Sequence, residues 1–176
     1  MSYDPVIAQS EIIRTHTMAV LVDNESGVLA RVIGLFAGRG YNIESLTVAE
    51  VDAEEHTSRI TVVTSGTAQV IEQIRNQLDR LVPVHRVVDL TVETEPLERE
   101  LALIKVKGTG DKRMEALRIA DSFRARVVDT TLNSFVFELT GSPGKINAYI
   151  ALMRPLGLID VSRTGVAAIS RGPEAL

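Results

Sequence analysis

Four residues near the front of the chain, Asn24, Glu25, Ser26 and Gly27, have types and spacing suited to holding a small polar molecule. They follow the apolar run Ala19, Val20, Leu21, Val22 and precede a segment of helical periodicity, so they form a corner between a strand and a helix. A helix N-terminus exposes unpaired N–H groups and about half a positive charge, which attracts a carboxylate or phosphate. Gly27 keeps that turn sterically open, and the Asn24 amide can accept from an ammonium or donate to a carboxylate. A free amino acid carries both groups on one carbon, and neighbouring Val and Ile side chains would select an aliphatic one. The second half of such a site falls at Asn42 and Ile43, where a new strand is expected to open after the glycines at 38 and 40. An ordinary cap, with Asn24 and Ser26 closing the helix and Gly27 permitting the turn, accounts for the same corner. Asn-x-x-Gly by itself has little specificity.

Catalytic chemistry finds less support. His16, His56 and His85 fall in different expected strands or turns and lack metal-ligand spacing, so they read as surface or strand-packing residues. The segment Gly141-Ser-Pro-Gly-Lys145 has two residues between its glycines where a phosphate loop has four, and Ile146 stands where Ser or Thr is required. It reads as a helix start. Gly34, Gly38 and Gly40 end a helix instead of opening one, which excludes a dinucleotide fingerprint. No thiamine- or flavin-binding signature is visible, and the acidic residues form no paired-carboxylate motif. With no cysteine, disulfides, thiolate metal sites and Cys nucleophiles are excluded together. Lys112, Arg113, Arg118, Arg124 and Arg126 form a basic cluster that reads first as a solvated helix face, then as a docking patch. Nucleic acid ranks third, since interleaved aromatics and a helix-turn-helix are missing and the net charge is −4.

The elements that must position these residues are legible from periodicity. The chain of 176 residues is 45% hydrophobic with only 4% aromatics, so its core is built from Val, Ile and Leu, as suits a sheet-rich α/β architecture. A strand is expected at 15–23, then a helix with Val28, Leu29, Val32, Ile33, Leu35 and Phe36 at helical spacing. A hairpin follows at 41–51 and 57–65. Thr67 caps a second helix carrying Val70, Ile71, Ile74, Leu78 and Leu81, and a valine-rich strand spans 82–92. Pro96 in the polar stretch 93–98 marks a boundary. The same order then repeats: a strand at 101–107, a helix at 111–123 with Met114, Leu117 and Ala120 inward, and a hairpin at 126–131 and 135–140. A helix opened by Ser142-Pro143 carries Ile146, Tyr149, Ile150, Met153 and Leu156 on one face, and a last strand spans 159–169. The fold class is α+β, with two tandem ferredoxin-like β-α-β-β-α-β sandwiches. Residues 1–14 read as an N-terminal arm, 15–94 as the first domain and 98–172 as the second. The N-terminus lacks signal-peptide order and no apolar run approaches the ~20 residues of a membrane helix. An intracellular, cytoplasmic protein is expected.

The string NESGVLARVIGLFAGRGYNIESLTVA closely resembles the ACT domain that opens the small, regulatory subunit of acetolactate synthase (acetohydroxyacid synthase). The resemblance runs from about 15 to 172 and includes ERELALIKV at 98–106 and SRTGVAAISRG at 162–172. It implies a non-catalytic chain that activates a separate catalytic large subunit and confers feedback inhibition by a branched-chain amino acid, typically valine. Thiamine diphosphate, FAD and Mg are then expected on that partner. It also implies an ACT homodimer with effector between protomers, at Asn24, Gly27, Val28 and Leu29 of one chain and Asn42 and Ile43 of the other. Asp23 stands where the family commonly has glutamate. The rival from another class is a free-standing ACT amino-acid sensor that regulates transcription or another enzyme. An enzyme in its own right comes third.

Overall fold

The computed structural model describes residues 12–93 and 95–176. The expected arm lies almost wholly outside the described residues. The chain divides into two compact units, one running to Leu97 and joined by Ala168–Leu176, the other comprising Glu98–Ala167.

The first unit runs β1 (Arg14–Asp23), α1 (Val28–Arg39), β2 (Ser45–Asp52), β3 (Thr57–Gly66), α2 (Ala68–Asp79), β4 (Val84–Asp89) and a helical turn α3 (Leu90–Glu93). Its antiparallel sheet has the order β2-β3-β1-β4. β1 lies at the centre and pairs with β3 over ten residues, from Arg14↔Gly66 to Asp23↔Thr57. Alternate residues Met18, Val20 and Val22 of β1 and Ile60 and Val62 of β3 point to one face. There they meet Val28, Val32 and Phe36 of α1 and Ile71, Ile74 and Leu78 of α2. Each such side chain contributes about 1.5–3 kcal/mol when fully buried. Both helices therefore cover the same face of the sheet, as a ferredoxin-like sandwich requires. The Thr67 side chain accepts from the Val70 N–H at 3.4 Å and caps α2 as expected. The tail also belongs to this unit, and Arg59 of β3 donates to the Ala168 carbonyl at 2.7 Å. Burial lowers the pKa of that guanidinium.

The second unit repeats the topology with β5 (Leu97–Lys107), α4 (Gly110–Phe123), β6 (Arg126–Thr130), β7 (Ser134–Gly141), α5 (Pro143–Met153) and β8 (Leu158–Arg163). The strand order is β6-β7-β5-β8, and a three-residue strand β9 (Ala167–Ile169) pairs with β5. Ala102, Ile104, Val106, Phe135, Phe137 and Leu139 meet Ala116, Ala120, Ile146, Tyr149 and Met153 in its core. Ser142 caps α5 by accepting from Lys145 N–H, with Pro143 in the first turn. The tandem sandwiches expected from the sequence are thus both present.

Five local expectations need correction. The strand expected at 41–51 starts only at Ser45, because the Asn42 carbonyl is taken by the Thr64 hydroxyl (2.6 Å) outside the ladder. The strand expected to reach 92 stops at Asp89, whose carboxylate accepts from the Thr91 N–H at 3.0 Å and turns the chain into α3. The strand expected at 159–169 is two, β8 and β9. Met114 is 67% exposed; the buried positions of α4 are Ala116 and Ala120, and Leu117 packs half-buried against the core as expected. Small residues let this helix sit close to its sheet. Finally, neither Asn24 nor Ser26 caps α1, as described next.

Candidate functional site

The corner between β1 and α1 is built from backbone outward. Asp23 N–H donates to the Pro83 carbonyl at 2.9 Å and Asn24 N–H to the His56 carbonyl at 2.7 Å, so the end of β1 is tied to both neighbouring strand connections. His56 holds a positive φ of 49°, and His85 Nε2 lies 2.6 Å from Asp23 Oδ1. The cap of α1 is Gly27 itself, at φ 89° and ψ −8°, with no side-chain cap bond. A Cβ there would meet no atom within 4 Å, so glycine is needed for the left-handed backbone and not for space. The Gly27 carbonyl accepts from Arg31 N–H at 3.0 Å, and the Val28 N–H makes only a long 3.5 Å contact with the Glu25 carbonyl. An uncapped first turn leaves its positive end open to an acceptor from outside.

The six residues named from the sequence fall in two groups. Asn24, Gly27, Val28 and Leu29 form one corner. Asn24 is exposed and donates through Nδ2 to Glu50 Oε1 at 3.0 Å, Val28 turns its side chain into the core, and Leu29 stays 38% exposed. Asn42 and Ile43 lie past the other end of α1. Asn42 is exposed while Ile43 packs half-buried on the core. Their segment is fixed from behind by the buried Thr64 hydroxyl on the Asn42 carbonyl and by Glu44 N–H on the Val63 carbonyl at 2.8 Å. The Glu44 carboxylate takes a short hydrogen bond from the Ser65 hydroxyl. Twelve helical residues at 1.5 Å rise separate the groups by about 18 Å along α1. One chain does not bring them together.

Two polar partners of the corner were not read from the sequence. Glu50 and Val22 both lie opposite Ser58 of β3, which puts Glu50 two strands from the end of β1. A bulge between Glu50 and Asp52 shifts the register there, so strand alternation alone does not locate it. The Asp23–His85 contact likewise depends on the β1–β4 bulge at Leu21/Val22. Among the described residues no group of three or more His, Cys, Asp or Glu side chains is placed to hold a metal ion.

The family model described as the small subunit of acetolactate synthase matches residues 99–172, and the AHAS small subunit-like ACT domain matches 18–86. A probable acetolactate synthase small subunit of Archaeoglobus fulgidus is 46% identical over 157 residues, covering 89% of this chain and 97% of that protein. The chain belongs to the acetolactate synthase small-subunit family. The isozyme 3 small subunit of Escherichia coli is 43% identical, over 90% of this chain and 97% of its own. The crystal structure of the Thermotoga maritima small subunit superimposes with a TM-score of 0.79 at 36% identity, over 92% of this chain and 99% of that one. As a family member the chain is a non-catalytic regulatory subunit with an ACT domain, and catalysis resides on a large-subunit partner. Among the described residues no helix is long and apolar enough to cross a membrane.

Proposed function

We propose that this regulatory subunit senses a branched-chain amino acid, valine first, at a pocket shared by two protomers, and that it activates its large subunit and confers feedback inhibition. One observation carries the shared pocket: α1, twelve residues and so about 18 Å long, runs between its uncapped start and the Asn42–Ile43 segment of the same chain. A single ligand touches both only across a dimer. The ligand carboxylate lies against the first turn of α1 beside Gly27, with its ammonium near Asn24 or Glu50 and its aliphatic group against Leu29 and Ile43. Exposed apolar groups next to the corner, Leu29 and Ile33 on α1 and Val48 and Val51 on the β2 edge, support a dimer seam there. Thiamine diphosphate, FAD and Mg act on the large subunit, in the cytoplasm.

Ligand binding changes activity only if the two dimer arrangements bind it with different affinity. Gly27→Asp strains the left-handed backbone and sets a negative charge where the ligand carboxylate would lie. We expect at least a tenfold loss of valine affinity by calorimetry; unaltered binding sinks the site assignment. Asn42→Ala tests the partner's half, and wild-type valine inhibition of the reconstituted holoenzyme would remove Asn42 from the site. The first experiment is a titration of large subunit with this chain and then with valine. Activation followed by inhibition is expected, and an unchanged rate returns the chain to a stand-alone sensor.

A further inference from the structure

Two basic clusters differ in what their charges already do. In the second unit, Arg113 lies over the Phe135 ring at 3.8 Å and donates to the Thr130 hydroxyl, Arg118 pairs with Glu115 at 2.7 Å, and Arg126 pairs with Glu138 at 2.6 Å. Those guanidinium groups are engaged inside their own unit. Between α1 and α2 of the first unit lies an open groove of about 500 Å³ whose lining includes Arg31, Arg39, Arg80, Gln77, Gly34 and Gly38. Among the described residues Arg39 and Arg80 form no ion pair. Arg31 reaches only Glu25, at 3.9 Å, with both side chains more than half exposed.

The ends of α1 and α2 account for a cation at 39 and at 80, since a helix C-terminus is the negative end of its dipole. They do not account for the floor. Gly34 and Gly38 sit one turn apart in mid-helix and late helix, where glycine is the weakest ordinary helix former. Neither holds a positive φ, and a Cβ at either would meet nothing within 4 Å. Nothing among the described residues requires glycine at these positions. What they provide is a strip of bare backbone that an outside chain can approach closely, flanked by three guanidinium groups.

We propose that this groove receives an acidic segment of the catalytic large subunit. The inference rests on the regulatory reading above. Guanidinium groups pair with carboxylates in bidentate geometry, and the glycine floor suits the backbone of a chain segment better than a point anion. A local positive groove on a chain of net charge −4 also fixes the orientation of an acidic partner.

The test titrates large subunit with three variants of the full chain. Arg39→Gln/Arg80→Gln removes the charge, Gly38→Leu fills the floor without changing charge, and Lys112→Gln/Arg124→Gln is the control in the second unit. The first two are expected to raise the concentration for half-maximal activation at least tenfold, with valine binding to the small subunit alone unchanged by calorimetry. Added salt is expected to shrink the gap between wild type and the double arginine variant. Wild-type activation curves for both groove variants overturn the proposal, and so does an equal shift in the control. A wild-type chain that fails to activate at all overturns the regulatory reading itself, and the docking proposal with it.

Discussion

The two units have the same strand order, yet their equivalent helices α1 and α4 present opposite outer surfaces. α1 exposes Leu29, Ala30, Ile33, Gly34, Ala37 and Gly38, with charge only at Arg31 and Arg39. α4 exposes Asp111, Lys112, Arg118 and Asp121, and only Met114 is a large exposed apolar group on it. A charged outer face is the ordinary finish of a helix that ends in water. The apolar and glycine-rich face of α1 is that of a helix with more to bury. The units also differ inside. The second is held by the aromatic cluster Phe123, Phe135, Phe137 and Tyr149, and by Arg163, which grips the buried Glu100 through two 2.6 Å bonds and reaches Asn147 at 2.9 Å. Among its described residues the first has one aromatic pair, Phe36 and Tyr41. One topology thus carries two different outer surfaces and two differently built cores.

That contrast can be broken most severely by Phe137→Ala, which empties a fully buried position of the aromatic cluster. A loss of about 4 kcal/mol is expected for the second unit. In urea the unfolding curve should then show two transitions, with valine binding surviving the first. A single cooperative transition would mean that the units do not act separately. Arg163→Ala leaves Glu100 buried without its guanidinium, and a loss of about 2 kcal/mol is expected, below the value for a fully buried pair because Arg163 is 36% exposed on its side chain. Lysine at 163 should recover only part, since it cannot make the bidentate contact. Gly34→Ala acts in the other direction: the isolated chain should gain about 1 kcal/mol by thermal unfolding. A loss there would show that the glycine is needed within the fold. The smallest stability change, under about 0.5 kcal/mol, belongs to Ile33→Glu and its counterpart Met114→Glu. Sedimentation should nevertheless show dissociation for the former alone, and equal behaviour of the two erases the distinction between the outer faces.

Much of this was legible in the sequence where signals are local. The periodicity of α1 and α2, the Thr67 and Ser142 caps, and the glycine at position 40 all state their roles within a few residues; Gly40 does close α1 in the left-handed region, at φ 69°. Failures came where distant groups decide or where a stronger pattern masks a local one. The strand start at Ser45 depends on Thr64, twenty-two residues away from the carbonyl it binds. The end of β4 depends on Asp89, whose carboxylate caps α3 and also meets buried His16 at 2.7 Å; a run of valines masked that local signal. At the corner, Asn24 and Gly27 were visible as types, but the sequence suggested a side-chain cap where the helix is started by glycine alone. Glu50 was hidden by the bulge that brings it into reach. Residue types were readable, and registers were not.

The association of Ala168–Leu176 with the first unit bears on the order in which the chain is made. Its sheet already joins distant segments, since β1 must wait for β3 some forty residues later and for Val87 of β4 opposite Val20. Such non-local pairing is slow to close. The Ala168 carbonyl, which Arg59 holds, leaves the ribosome after every strand of that sheet. The unit whose synthesis begins first is therefore completed only after Glu98–Ala167, the whole of the second, has been made.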